Sequence, residues 1–209
     1  MSNLPNSLAN LVDICIVLLV MPRNLDQHLA LEAIRITGAY LDGQGISKPI
    51  RIIIAGGVAG LLGQYLNQSR TTADCDVLNN VDDESWGLLQ EAVAKVAGEL
   101  DLPKGWLNRE SRIYQHCFAI GWEDRAVEIG RFGPLDVRII SRKDLIASKI
   151  VSAITRQYDL EDLQAIKPTE QELDFVSDHL DRLEAEDLDA KCYNKERAIL
   201  NSLRGGTHE

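Results

Sequence analysis

The sequence predicts an α+β fold, with its sheet between roughly residues 50 and 140. Short β-branched runs bounded by Gly or Pro are confined to that stretch, and helical spacing of apolar residues dominates before and after it. The length of 209 residues, 45% of them hydrophobic, fits one ordinary core with a helical annex and excludes wholesale disorder. The expected organisation is a core over residues 22–141 and a helical C-terminal part over residues 142–204, packed on it as one unit. Residues 1–20 are expected to be an N-terminal extension whose place is left open.

Taken in order, residues 11–21 read LVDICIVLLVM, a run of eleven with Asp13 inside it. A membrane span needs about 20 apolar residues, so none is expected here. Residues 1–10 hold no Lys or Arg, which removes the basic region of a signal peptide. The run is either a buried or partner-covered helix or an extension upstream of a natural start at Met21. Next, Asn24 followed by Gln27 resembles a loose capping box. Leu29, Ala33, Ile36, Ala39 and Tyr40 then recur at helical spacing up to the break at Gly43 and Gly45. After Pro49, the run Ile50-Arg51-Ile52-Ile53-Ile54-Ala55 reads as a buried strand ending in Gly56-Gly57. Residues 58–66 suit a helix. Cys75, Val77 and Leu78 mark a short strand, residues 84–100 a long helix, and residues 113–120 a strand. Residues 125–129 and 135–140 form a hairpin around Gly130 and Gly133-Pro134. Ser141 is a helix N-cap with Asp144 three residues on. A further helical unit covers residues 159–166, and Thr169 opens an acidic helix after Pro168.

The net charge is −10, which excludes a whole-molecule basic footprint for duplex DNA. The charge is uneven. Residues 104–156 carry 10 basic and 6 acidic side chains, while residues 1–103 carry 6 and 12 and residues 157–209 carry 6 and 14. A basic middle in an acidic chain suits a phosphate-bearing ligand, or is a solvated surface. Cys15, Cys75, Cys117 and Cys192 lie far apart with no CxxC pair, so neither a disulfide framework nor a zinc knuckle is expected and a cytoplasmic location fits.

Three features fall in order along the chain. A strand runs through Gly56-Gly57 into a helix, where glycines let a phosphate approach backbone N–H groups. Arg70-Thr71-Thr72-Ala73-Asp74-Cys75-Asp76 follows. Strand spacing puts Asp74 and Asp76 on one face and Cys75 and Val77 on the other. Two such carboxylates repel unless a cation or proton joins them, and an oxygen-rich pair suits Mg²⁺ together with substrate phosphates. Third, Asp144-Leu145-Ile146-Ala147-Ser148-Lys149 precedes Arg156, Asp159 and Asp162; Lys149 and Arg156, two helical turns apart, are expected to share a face.

This ordered set resembles the nucleotidyltransferase superfamily, which includes the minimal nucleotidyltransferases, DNA polymerase β and nucleotidyltransferase-like toxins of abortive-infection systems. The segment Leu102-Pro103-Lys104-Gly105-Trp106-Leu107-Asn108 is similar to a short motif of uncharacterised bacterial members. The resemblance covers roughly residues 24–165. It implies a mixed sheet, Gly56-Gly57 on the triphosphate of an NTP, and Asp74 and Asp76 on Mg²⁺. It implies transfer of a nucleoside monophosphate to an acceptor hydroxyl, with Arg70, Lys149 and Arg156 contacting nucleotide phosphates. Many members place a third carboxylate on a neighbouring strand. Here Glu128 is the nearest candidate and Asp136 the next, and each is equally readable as a solvent-facing strand residue. The toxin branch uses two carboxylates, a Lys and a later Asp, which would be Asp159 or Asp162; these two also read as helix-opening acids. The resemblance thus leaves three functions open: a Mg²⁺-dependent transferase, a catalytically silent nucleotide-binding or regulatory module, and the toxin of a toxin–antitoxin pair acting on tRNA or protein. The partners to match are an NTP, an RNA or protein acceptor and an antitoxin protein, with no membrane. His116, Trp86, Trp106 and Trp122 read as packing residues.

Overall fold

The structure is a computed structural model, and it describes residues 22–186 and 192–205. The apolar run at residues 11–21 lies outside the described residues. Helix α1 (Gln27–Gly43) leads into β1 (Ile50–Ala55), α2 (Gly56–Leu62) and β2 (Cys75–Val77). Then come α3 (Asp83–Glu99), β3 (Leu107–Asn108), a 3-10 helix (Glu110–Cys117) and the hairpin β4 (Val127–Phe132) and β5 (Leu135–Ile139). Four helices close the chain: α4 (Arg142–Ser152), α5 (Gln157–Ile166), α6 (Glu170–Glu186) and α7 (Asn194–Gly205). The fold is α+β, as the sequence predicts.

The five strands lie in the order β3-β2-β1-β5-β4. β1 runs parallel to β5 and antiparallel to β2, so the sheet is mixed. Its two faces differ sharply. Ile50, Ile52 and Ile54 of β1, Cys75 and Val77 of β2, and Leu135, Val137 and Ile139 of β5 are all buried. Strand alternation and the pairing register put the other set on the opposite face: Arg51, Ile53 and Ala55, with Asp76, Asp136 and Arg138 beside them. The first face is apolar throughout, and the second, the polar face, combines charged groups with the buried Ile53, Ala55 and Asp136. One continuous cluster of buried side chains runs from Leu29 and Ile34 of α1 through the sheet to Ile146 of α4 and Leu180 of α6.

Three local expectations change. The cap of α1 is Asp26, whose side chain accepts from Leu29 N at 2.8 Å, and not Asn24. Residues 113–120 do not form a strand: a 3-10 helix ends at Cys117, and Ile113, Tyr114 and Ile120 are exposed. β3 takes the pairing edge of β2, so that segment does not add to the sheet there. Finally, α4 ends at Ser152 and Arg156 is the N-cap residue of α5, so Lys149 and Arg156 do not share one helix. Ser141 caps α4 as expected, accepting from Asp144 N at 3.3 Å.

Candidate functional site

The site grows from the end of β1. The chain turns at Gly56 with φ +66, a left-handed backbone that a Cβ would strain. A Cβ there would also stand 3.1 Å from Oδ2 of Asp76, and one on Gly57 would come within 2.9 Å of the Thr72 side chain. Both glycines are therefore needed so that the turn can back directly onto the segment before β2. That segment is pinned from behind: Leu25 N donates to Thr72 O and Thr72 N to Leu25 O, at 2.7 and 2.9 Å. Asp76 pairs in register with Ala55, which places its carboxylate beside the turn. Cys75 and Val77 are buried and Asp74 is exposed, in line with the alternation expected.

Burial raises the pKa of Asp76, and the neighbouring Asp74 charge raises it further. Ser111 of the 3-10 helix opposes this by donating Oγ–H to Asp76 Oδ1 at 2.9 Å, and the Arg156 charge opposes it from the start of α5. Thr72 Oγ lies 3.4 Å from Asp74 Oδ1. The Cys75 thiol is pushed well up by complete burial, which makes it a core residue rather than a nucleophile.

A second layer stands behind Arg70. Its Nε donates to Asp162 Oδ1 at 3.0 Å, its guanidinium also donates to the Thr71 carbonyl, and it lies 5.6 Å from the centre of the Tyr158 ring. Asp162 and Asp159 together hold the Lys149 ammonium, at 2.6 and 2.8 Å. Ser152 Oγ donates to the remaining oxygen of Asp159 at 2.7 Å. Lys149, Asp159 and Asp162 are all buried, so Lys149 is not the exposed charge that its place in the motif suggested. The chain runs continuously from Lys149 through Asp162 to Arg70, two residues before Thr72 at the turn. Asp159 and Asp162 do more than open a helix.

Glu128 and Asp136 are not brought to Asp76. Glu128 lies on β4, separated from β2 by β5 and β1, and is exposed with Arg138 at 3.9 Å. Asp136 pairs in register with Arg51, four residues along β1 from Ala55, which is about 13 Å at 3.3 Å per residue. The residue in register with Asp76 on its other side is Asn108. An amide thus occupies the neighbouring-strand position beside Asp76. Sequence reasoning assigned no site role to Ser111, Thr72, Asn108 or Tyr158. Thr72 lay inside the Arg70–Asp76 motif and Asn108 at the end of the Leu102–Asn108 motif, whereas Ser111 carries no motif signal and reaches Asp76 only through the fold.

Residues 40–203 match a family model described as "Nucleotidyltransferase of unknown function (DUF6036)". The chain belongs to this family. The match spans the Gly56-Gly57 turn, both aspartates and the Lys149 network. A search of curated proteins and a search of solved structures each found no match. In this nucleotidyltransferase family member, the donor set at the turn is two carboxylates. Among the described residues no group of three or more His, Cys, Asp or Glu is placed to hold a metal alone. Among the described residues, no helix is long and apolar enough to cross a membrane.

Proposed function

We propose that this nucleotidyltransferase uses Mg²⁺ at Asp74 and Asp76 to transfer a nucleoside monophosphate from an NTP to an acceptor hydroxyl. The observation that carries the reading is the approach of turn to carboxylate: a Cβ on Gly56 would stand only 3.1 Å from Asp76 Oδ2, at a backbone φ of +66 that favours glycine. Phosphates laid on the turn would lie against the aspartates. The donor set fits Mg²⁺, which takes one or two carboxylates and completes its shell with phosphate oxygens and water. The raised pKa of Asp76 marks a charge in want of a cation. When bound, the ion supplies charge stabilisation for the attacking and leaving oxygens. The chain's own residues bind and orient. Gly56 and Gly57 offer N–H groups, Ser111 fixes the Asp76 carboxylate, and Arg70 and Arg156 add positive charge beside the phosphates. Lys149 acts through Asp162, holding it where it orients Arg70.

Asn108 beside Asp76, where a third carboxylate would complete the set, favours a second reading: a module that binds the nucleotide without transferring it. A thermal-shift series with each NTP, with and without Mg²⁺, on wild type and Asp76→Asn tests the site. A Mg²⁺-dependent rise in Tm that is lost in Asp76→Asn supports it through mass action. No Mg²⁺-dependent shift with any NTP would overturn it. Incubation with α-labelled NTP and cell RNA or protein then separates the two readings: label retained on an acceptor supports transfer, and binding without transfer supports the silent module.

A further inference from the structure

A cavity of about 240 Å³ opens on the polar face of the sheet, away from the turn. Arg51, Ile53, Asn79, Asn80, Arg138 and the rim acids Glu123 and Asp124 line it. Arg51 and Arg138 sit diagonally on the adjacent strands β1 and β5, with Asp136 between them. Arg51 Nε donates to Asp136 Oδ2 at 2.8 Å, while Arg138 Nε stands 3.7 Å from Asp136 Oδ1. That second distance is too long for a hydrogen bond, and both atoms are buried with no hydrogen-bond partner. Asp136 thus bonds the Arg51 guanidinium and only approaches that of Arg138, whose other carboxylate neighbour is the exposed Glu128 at 3.9 Å. The network beside the cavity is incomplete, and buried polar atoms without partners call for an explanation.

Paired arginine forks match the oxygens of a phosphate better than any other side-chain arrangement. Glu123 and Asp124 would repel a bare anion but accept hydrogen bonds from hydroxyls. Asn79 is already spent: its Oδ1 accepts from Ile53 N at 2.6 Å and its Nδ2 donates to Arg51 O at 3.0 Å. It stiffens the wall and leaves recognition to the charged groups. We infer that this cavity is a metal-independent subsite for a phosphate ester carried on a hydroxyl-bearing sugar. Arg51 and Arg138 hold the phosphate, and Glu123 and Asp124 hold the hydroxyls. The cavity shares the sheet face of Asp76, and Arg51 lies about 13 Å along β1 from Ala55. Taking the ester as part of the acceptor rests on the transferase reading above; the subsite itself does not.

The test is calorimetric titration in EDTA with ribose 5-phosphate and, separately, inorganic phosphate. Wild type is expected to bind ribose 5-phosphate more tightly than inorganic phosphate. Arg138→Gln and Arg51→Gln should each weaken ribose 5-phosphate roughly tenfold, while Asp76→Asn leaves it unchanged. The exposed double variant Glu123→Gln with Asp124→Asn should narrow the preference for the sugar ester, and it keeps the idea testable if an arginine variant fails to fold. No binding by wild type, equal binding by the arginine variants, or loss in Asp76→Asn would each overturn the subsite. Mg²⁺·NTP titrations on the same proteins keep the two proposals apart. Ribose 5-phosphate binding without Mg²⁺·NTP binding would overturn the transferase site and leave the subsite standing; the reverse would overturn the subsite alone.

Discussion

Asp76 is the residue whose chemistry is most readily tested without knowing the substrate. Burial and Asp74 raise its pKa in the folded chain. An acid raised in this way leaves stability intact below its unfolded pKa of about 4, and stability is lost as pH climbs through the folded value. Asp76→Asn should therefore raise Tm at pH 7 without metal, and the gain should vanish below about pH 4. A pH series of melting curves on both proteins checks this, and a neutral-pH loss of stability would mean that the Ser111 bond outweighs the burial. Lys149 behaves in the opposite sense. Its ammonium neutralises two buried carboxylates, so Lys149→Ala should cost roughly 3–5 kcal/mol in urea unfolding, as when one partner of a buried ion pair is removed. A loss under about 1 kcal/mol, the figure for an exposed surface change, would contradict that role. At this scale the sequence is a good guide to which residues matter and a poor one to how. The spacing of Asp74 and Asp76 follows from strand geometry alone, so their shared face was legible. The grip of Asp159 and Asp162 on Lys149 depends on the turn between α4 and α5, which no local periodicity encodes.

At the scale of elements, α1 meets the β4–β5 hairpin through glycine. A Cβ on Gly38 would stand 2.2 Å from the carbonyl oxygen of Phe132, and one on Gly133 would stand 2.7 Å from the carbonyl oxygen of Gly38. Both obstacles are backbone, which cannot swing aside as a side chain does. Gly38→Ala should destabilise by about 3 kcal/mol, the upper end of overpacking costs, despite the better helix propensity of Ala. A chemical denaturation curve measures it, and a gain in stability would show that the hairpin can lift off α1. The elements with strong local signals were legible: β1 from its β-branched run, α3 from its length, α4 from Ser141. The 3-10 helix was not. Residues 113–120 read as a strand, yet Ile113 and Tyr114 face outward, and the segment makes two polar contacts, Ser111 to Asp76 and Gln115 to the Leu78 carbonyl. β3 is only two residues long and left no pattern to read.

Across the whole molecule, half of the basic middle of the chain is taken up in ion pairs, three of them to its acidic flanks and two within the middle itself. Of its ten basic residues, Arg109, Arg125, Arg138, Arg142 and Lys149 pair with Asp83, Asp144, Asp136, Glu172 and the Asp159–Asp162 couple. The asymmetry legible in the sequence is thus partly spent inside the fold. Random duplex DNA should not be retained at about 0.15 M salt, since counterion release needs many free cations. A gel-shift titration against salt checks this, and strong retention with a steep salt slope would mean that the remaining cations form one stripe.

The parallel pairing of β1 with β5 also governs when the protein can exist. The first matched residues, Ile50 and Leu135, lie 85 positions apart, and β1 finds its other partner only in the three-residue strand β2. On a ribosome adding about 5–20 residues each second, β1 emerges several seconds before β5. Through that interval an isoleucine-rich strand has half its hydrogen bonds unmade and its apolar face uncovered by the later helices. Non-local closure of this kind slows folding. The nascent chain therefore passes through a window in which its most β-prone segment is unguarded, and speed of elongation through residues 56–139 becomes part of what the cell must supply for the protein to be made.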